Sequence, residues 1–467
     1  MPKAERPLRE RVLEVENVGT DTAQGRAMRK IAPRRALAQL VPSTRNPVEI
    51  LVEQNRDRLT DLVPLRFARM LADPFSFYRG AAALMAADLA GGPSSGIEVM
   101  CAGDAHLSNF GIYAAPHRTL VFDLNDFDEA AVAPAEWDIK RLVTSAIVGG
   151  RHAGYPEKTI RRIAGKVVRT YRDGLHAMLE MNVMDRYYLR LEPQRYAHDV
   201  QGSLGRVIAE ATRKAQNRTS ARVFERIMER LPDGRFRLRE NPPLLTHVAV
   251  SDETRLTDAF REYLTGVPAD IALLLSHFQL TDIAMRVVGV GSVGTRSYLA
   301  ILTGPDGTPL VLQVKQANQS VLQEYGRWQQ PDSLASAAAA LGQGIRVIGG
   351  QRILQAMSDV FLGSLRIQGQ DFYVRQFQDM KGSVETEGMD PETYGQYVGA
   401  CAYALARGHA QSANASMLRG YVGGGSTVSA AIVDWSYLYA DKTLADFTAL
   451  QAAAKAGEIE VAADPLR

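Results

Sequence analysis

Two short runs of the sequence hold many side chains that can bind a metal ion or accept a proton. They are CAGDAHLSNFG at residues 101–111 and VFDLNDFDEA at residues 121–130. Carboxylate and amide oxygens are the ligands that Mg²⁺ takes in proteins, and an aspartate can accept a proton from an attacking hydroxyl. The runs therefore predict a metal and proton-transfer site, with a solvated polar loop as the alternative. The candidate residues are Asp104, His106, Asn109, Asp123, Asp126 and Asp128.

A glycine-rich segment far downstream supplies a second set of groups. Gly289, Gly291 and Gly294 spell G-x-G-x-x-G, which dinucleotide-binding folds follow with a helix and a later acidic residue. Here the alternating run TRSYLAILT follows, then a turn GPDGT, then PLVLQVK ending at Lys315. This order predicts a β-hairpin with a lysine on the next strand, which is how protein kinases bind nucleotide phosphates. Glu324 is the candidate carboxylate that holds the lysine, and a plain hairpin turn is the alternative for the glycines.

The first polar run has the spacing of the kinase catalytic loop. Asp104 and Asn109 match D-x-x-x-x-N, in which the aspartate accepts or orients the hydroxyl proton and the asparagine holds magnesium. The runs AGDAHLSN, DFDEA and EWDIKRL also resemble the aminoglycoside phosphotransferase branch of the kinase-like superfamily, which carries H-G-D-x-H-x-x-x-N and then D-W-x-x-A. This resemblance implies a catalytic role for His106 in that loop, with a structural histidine as the alternative. It implies metal ligands at Asn109, Asp126 and Asp128, with Asp123 as an alternative.

The resemblance also implies a structural role for Asp138, which would brace the backbone of the catalytic loop. The chain departs from the pattern at Ala102, where the family has its first histidine. The part of the loop that this histidine would brace must therefore be held by another residue. Both motifs, together with segments such as SDVFLG and ALARGHAQS, further resemble a large bacterial family defined as a domain of unknown function, number 2252. That resemblance covers nearly the full length and implies no substrate.

Composition sets the broad class of protein. The chain has 467 residues, 46% hydrophobic and 23% charged, with a formal net charge of +2. This is the balance of a globular protein of two or three lobes, and it gives no electrostatic reason to expect nucleic acid as a partner. The two cysteines form no metal-spaced pair, and we find neither a secretion signal nor a long apolar run. We expect a cytoplasmic protein without a membrane partner.

These motifs predict an α+β, kinase-like bilobal fold with a large helical lobe and a smaller antiparallel β lobe. The expected divisions are an N-terminal arm at 1–60, a helical lobe with the catalytic and metal loops at 61–282, a nucleotide-binding β lobe at 283–380, and C-terminal helices on the helical lobe at 381–467. Locally, we expect one buried helix at 75–90 and a strand pair at GQRILQA and DFYVRQFQDM.

The catalytic loop precedes the glycine loop, whereas kinases have the opposite order, so we expect a circularly permuted chain. Permutation is acceptable because domain termini often lie close together. Lys315 and Asp126 must then lie within about 15 Å, since both reach one triphosphate.

The predicted function is ATP- and Mg²⁺-dependent phosphotransfer to a hydroxyl of an unknown small molecule or protein. Alternatives are AMP transfer on the same fold and a nucleotide-binding pseudokinase. A metallophosphoesterase is disfavoured because none of the eight histidines lies in its motifs.

Overall fold

The computed structural model describes residues 18–193, 203–217, 224, 227–232, 236–248, 250–287, 289–377 and 382–464. Over these residues the protein is mixed α+β, with helices and small antiparallel sheets. The helices are α1 Val18–Ile31, α2 Pro47–Glu53, α3 Val63–Met70, α4 Pro74–Gly80, α5 Ala82–Ala90, α6 Ala135–His152, α7 Glu157–Glu180, α8 Val183–Tyr188, α9 Ser203–Asn217, α10 Val250–Gly266, α11 Ala269–Leu275, α12 Val321–Glu324, α13 Asp332–Leu341, α14 Gln343–Leu354, α15 Pro391–His409, α16 Ala415–Val422 and α17 Thr427–Ala456. The strands are β1 Glu98–Cys101, β2 Phe110–Ala114, β3 Leu120–Leu124, β4 Ala131–Pro134, β5 Met228–Arg230, β6 Phe236–Leu238, β7 Leu245–His247, β8 Gln279–Arg286, β9 Ser297–Thr303, β10 Pro309–Gln316, β11 Gly363–Ile367, β12 Gln370–Gln376 and β13 Gly382–Ser383.

The main hydrophobic core lies among α6, α7, α15 and α17. Helix α7 buries Ile160, Ile163, Val167 and Tyr171, a spacing that places them on one face of the helix. Helix α15 begins with Asp390 as N-cap, whose carboxylate accepts the first free backbone N–H groups, and it packs against that face. Helix α6, which carries the predicted brace residue, is therefore enclosed on several sides.

A six-stranded antiparallel sheet forms the second large unit, in the order β11-β12-β10-β9-β8-β7. The predicted hairpin is confirmed, because β9 and β10 pair from Thr303 opposite Pro309 to Ser297 opposite Lys315. The polar turn between them closes with a hydrogen bond from the Gly304 amide to the Thr308 carbonyl, 2.9 Å long. Helix α10 covers one side of this sheet and buries its apolar residues.

The two polar runs lie on short strands beside the helical core. Strand β1 pairs with β4, and β2 pairs with β3, so that the residues following β1 and those following β3 lie close together. The backbone amide of Asn125 donates to the carbonyl of Asn109 at 2.9 Å, which ties the second run directly to the first.

Two local predictions were wrong. The segment 75–90 is not one helix, since α4 ends at Gly80 and α5 starts at Ala82 after a change of direction at Ala81. The segment GQRILQA lies mostly in helix α14, and the partner of β12 is β11 instead. Short apolar runs do not distinguish a buried strand from a buried helix, and in this segment Leu354 lies on the buried side of a helix whereas Ile353 is exposed.

Candidate functional site

Asp104 is held in place by a buried arginine. It follows strand β1, and its carboxylate accepts a hydrogen bond from Nε of Arg141 at 2.8 Å. Arg141 lies on α6, and its Nη2 also donates to the carbonyl of Tyr78 at 2.7 Å. The side chain of Asn109 donates to the backbone carbonyl of Asp104 at 2.6 Å, so its amide nitrogen is used and its oxygen is the atom left to act as a ligand. The D-x-x-x-x-N pair therefore forms one compact turn.

Asp138 braces the backbone of this turn. Its carboxylate accepts from the amides of Ala102 at 2.6 Å and Gly103 at 2.9 Å, and it is fully buried. His409 of helix α15 lies 3.2 Å from the same carboxylate, and the hydroxyl of Tyr171 lies 2.7 Å from the other ring nitrogen. The loop thus has a supporting histidine, which comes from helix α15 and not from position 102.

The buried group of Cys101, Asp138 and His409 has the composition of a metal site, but its atoms are already used. Both oxygens of Asp138 accept backbone hydrogen bonds. Burial raises the pKa of Cys101 well above its ordinary value, so the thiol keeps its proton and is a poor ligand. We interpret this group as structural.

His106 is buried next to Asp104. Its Nε2 lies 3.7 Å from the carboxylate of Asp104. Burial lowers the pKa of His106 to about 4, so the imidazole is neutral at neutral pH. Its Nδ1 has no hydrogen-bond partner among the described residues, which is unusual for a buried polar atom.

The structure brings Lys315 to the second polar run. Its ammonium contacts Asp128 and lies 3.7 Å from Asp126. This separation is well within the limit of about 15 Å that a shared triphosphate requires. Burial opposes the charge on Lys315, but the two aspartates outweigh it and raise its pKa. Tyr373 donates to Asp128 at 2.8 Å, which fixes that carboxylate from the other side.

Two of the predicted residues lie elsewhere or have other partners. Asp123 lies on β3 and lines neither cavity described below. Its buried carboxylate accepts from the amide of Ala356 at 2.8 Å and lies 3.5 Å from Nη1 of Arg407. Glu324 does line the site, but the ammonium of Lys315 pairs with Asp126 and Asp128, which follow the end of β3.

The environment of Glu324 is acidic. Burial, followed by the charges of Asp57 and Glu53, raises the pKa of Glu324 above its ordinary value. It therefore belongs to an acidic edge of the site and not to the lysine.

The glycine loop between β8 and β9 lies over both polar runs. Gly289 and Gly294 have φ of +78° and +85°, a backbone conformation that glycine adopts without strain. The amide of Leu59 donates to the Gly294 carbonyl at 2.8 Å, and Nη1 of Arg69 donates to the Gly289 carbonyl at 2.6 Å. The predicted glycines are thus fixed by segments that come much earlier in the chain.

Two cavities meet beneath this loop and share Asn109, Asp126, Gly289 and Ser292. The first, of about 340 Å³, we call the acidic cavity, since seven carboxylates and two arginines line it. The second, of about 690 Å³, we call the basic cavity, since four cations and two carboxylates line it. The carboxylates of the acidic cavity are Glu53, Asp57, Asp104, Asp126, Asp128, Glu129 and Glu324. The cations of the basic cavity are Arg118, Arg286, Lys315 and Arg375.

The boundary between the cavities suits a hard divalent cation. Asn109, Asp126 and Asp128 offer oxygen donors there, which is the ligand type that Mg²⁺ prefers. Burial and the neighbouring charge of Asp126 raise the pKa of Asp128, and the ammonium of Lys315 offsets part of that effect. A divalent cation bound to both carboxylates would lower their mutual repulsion further.

Sequence reasoning missed several residues of the site. Arg141 and Tyr373 donate to Asp104 and Asp128, and His409 contacts Asp138. The charge of Arg375 acts on Asp126 and Asp128 without a direct hydrogen bond to them, and no motif spacing marks any of these four residues. His409 is 271 positions from Asp138, and only its presence in the segment ALARGHAQS associated it with the motifs.

Comparison with known proteins identifies the family of this chain. A family model described as "Uncharacterized protein conserved in bacteria (DUF2252)" matches residues 58–453. The chain belongs to this family, and the matched range contains every site residue that the sequence predicted, whereas Glu53 and Asp57 of the acidic cavity precede it. Comparison with curated proteins and with solved structures found no match. Over the described residues, we find no helix whose length and apolar character would allow it to cross a membrane.

Proposed function

We propose that this protein transfers a phosphorus-containing group from ATP to a hydroxyl of an acceptor, with Mg²⁺ as cofactor. The observation that carries the proposal is the meeting of Lys315, Asp126 and Asp128 with Asp104 and Asn109 beneath the glycine loop. These are the parts of a phosphotransfer site, in which positioning and charge stabilisation supply most of the catalysis.

Each residue has a role in this proposal. Asp104, oriented by Arg141, accepts or orients the proton of the acceptor hydroxyl. Asn109, Asp126 and Asp128 hold Mg²⁺, which neutralises charge on the phosphates when it is bound. Lys315 and the backbone of the glycine loop bind phosphate oxygens.

A kinase-like fold with a permuted chain order is part of the proposal. It is supported by the antiparallel sheet in which the glycine loop joins β8 to β9 and Lys315 lies on the next strand, β10. It is also supported by the position of the catalytic-loop turn beside the helical core, next to its bracing aspartate on α6.

The test is Mg²⁺-dependent binding and turnover of ATP. We expect the wild-type protein to bind ATP by isothermal titration calorimetry when Mg²⁺ is present and to transfer label from ATP to a component of a bacterial extract. Asp126→Ala should reduce both. Asp258→Ala is the matched control, because Asp258 is exposed and, among the residues that the structure describes, forms its ion pair with Arg261 on its own helix.

Two results would count against these assignments. Wild-type protein that binds no ATP at millimolar concentrations would refute the proposed function. An Asp126→Ala variant with wild-type turnover would refute the metal site.

A further inference from the structure

The side of the six-stranded sheet that faces the basic cavity is cationic. Gln313 and Lys315 lie on the same face of β10, because side chains alternate along a strand. On β12, Tyr373 lies opposite Lys315 and Arg375 lies opposite Gln313. Arg286 ends β8 and lies over the ring of Phe377, 4.7 Å from its centre. We call Arg286, Gln313, Lys315 and Arg375 the cationic wall.

The cationic wall begins beside Asp126 and Asp128 and continues along strand β10. Lys315 is at the end beside Asp126 and Asp128. Gln313 and Arg375 come next, joined by a hydrogen bond from Nε of Arg375 at 3.0 Å. The step from Lys315 to Gln313 covers two residues of an antiparallel strand, about 6.8 Å, which is comparable to the length of a diphosphate group.

The two arginines carry charge that the described part of the chain does not neutralise by ion pairs. In that part of the chain the guanidinium of Arg286 lies over the ring of Phe377 and that of Arg375 donates to Gln313, and neither has a carboxylate within ion-pair distance. Burial opposes the charge on Arg375, but the charges of Tyr373, Asp126 and Asp128 outweigh it and raise its pKa. Asp359 also lines the cavity, but its carboxylate accepts from the amides of Gln376 and Phe361. Burial and then the charge of Arg375 lower the pKa of Arg286 to about 10. A bound anion would relieve the repulsion between the two guanidinium groups, whereas the uncharged adenine base of the nucleotide would not.

We propose that the phosphate chain of the nucleotide lies along the cationic wall, with its β- and γ-phosphates at Arg375 and Arg286 and its α-phosphate beside Lys315 and Asp126. Arginine suits this position because its guanidinium donates two parallel hydrogen bonds to phosphate oxygens. This inference rests on the proposed function and specifies which group is transferred.

With this orientation the protein transfers the nucleotidyl group. The acceptor oxygen forms a bond to the α-phosphorus, and the bond from that phosphorus to the oxygen bridging to the β-phosphorus breaks. The bond electrons leave with pyrophosphate, which remains on Arg286 and Arg375. The proton of the acceptor hydroxyl passes to the carboxylate of Asp104. The opposite orientation would place the terminal phosphate at Asp126 and leave a neutral base against two guanidinium groups.

Binding measurements test the wall. Inorganic tripolyphosphate, ATP and adenosine are titrated into the protein with Mg²⁺. We expect Arg286→Gln to weaken binding of tripolyphosphate and ATP by about tenfold, the loss of one charge-assisted contact, and to leave adenosine binding unchanged. Arg286→Lys keeps the charge and should recover part of the affinity.

The matched control is Arg366→Gln, because Arg366 lies on β11 of the same sheet and pairs with Asp371 at 2.7 Å outside both cavities. Equal ATP affinity for Arg286→Gln and Arg366→Gln would overturn the wall as a phosphate site. A tenfold loss of adenosine binding in Arg286→Gln would do the same.

Label transfer tests the reaction. ATP labelled at the α- or the γ-phosphate is incubated with the protein, Mg²⁺ and a bacterial extract. Transfer of the α label together with release of pyrophosphate supports the inference. Transfer of the γ label alone overturns it and leaves the proposed function intact, whereas absence of ATP binding by the wild type overturns the proposed function itself.

Discussion

Replacing Asp138 by asparagine tests how the loop that follows strand β1 is held. The two carboxylate oxygens accept from the amides of Ala102 and Gly103, and Nε2 of His409 lies 3.2 Å from one of them. Asparagine offers one oxygen, so its NH₂ group must face at least one buried N–H. An unsatisfied buried donor costs about 1–3 kcal/mol, and the remaining bonds lose their charge assistance. We expect Asp138→Asn to lower the free energy of unfolding by about 2–4 kcal/mol.

Urea unfolding followed by circular dichroism measures the global effect, and amide hydrogen exchange of the peptide containing Ala102 and Gly103 measures the local one. Both amides should exchange faster in the variant. Asp434→Asn is the control, since Asp434 forms an exposed pair with Arg161 and should change stability by less than about 0.5 kcal/mol. Unchanged exchange in the loop, or a loss below about 1 kcal/mol, would refute the reasoning.

Two further predictions concern buried positions. Lys140 is buried with its ammonium 4.4 Å from the centre of the Trp435 ring, and burial lowers its pKa from 10.5 to about 8. Lys140→Met should therefore stabilise the protein by about 2 kcal/mol at pH 7, after loss of the ring contact. Between pH 8 and pH 10 the unfolded wild type binds more protons at this lysine than the folded wild type does. The free energy of unfolding of the wild type, relative to that of the variant, should therefore rise with pH. A constant difference between the two proteins across that pH range in urea unfolding would contradict the lowered pKa of Lys140. Gly103 has φ of +78°, and a Cβ there would overlap the carbonyl oxygen of Glu129, so Gly103→Ala should destabilise by at least about 2 kcal/mol. Gly349→Ala in α14, where a Cβ meets nothing within 4 Å, should instead be neutral or stabilising in the same urea-unfolding assay. Equal effects of the two changes would contradict this account.

Local patterns predicted the β-hairpin and the position of its lysine correctly. The alternating run before the turn and the run ending at Lys315 form β9 and β10, because alternation and turn chemistry act over a few residues. The same reasoning failed for GQRILQA, which belongs to helix α14. Its short apolar run fits either element, and the choice depends on the neighbours that cover it.

The partners of the site residues could not be predicted from spacing. Glu324 was the candidate partner of Lys315 because kinases hold this lysine with a carboxylate, but Asp126 and Asp128 are the carboxylates that lie beside its ammonium. The brace from His409 to Asp138 joins residues 271 positions apart. Such contacts depend on how helices and sheets pack, and the spacing of residues along the chain does not encode that packing.

The sequence by itself determined the chemical groups and their local spacing. The turn from Asp104 to Asn109, the aspartates after β3 and the lysine on a strand after a glycine loop all follow from short segments. Only the tertiary structure decided that these segments meet, that Asp123 lies away from the cavities and that Arg286 joins Arg375 on one wall. The physical reason is that strand register and helix packing set distances between remote residues, and both depend on burial of the whole core rather than on any single motif.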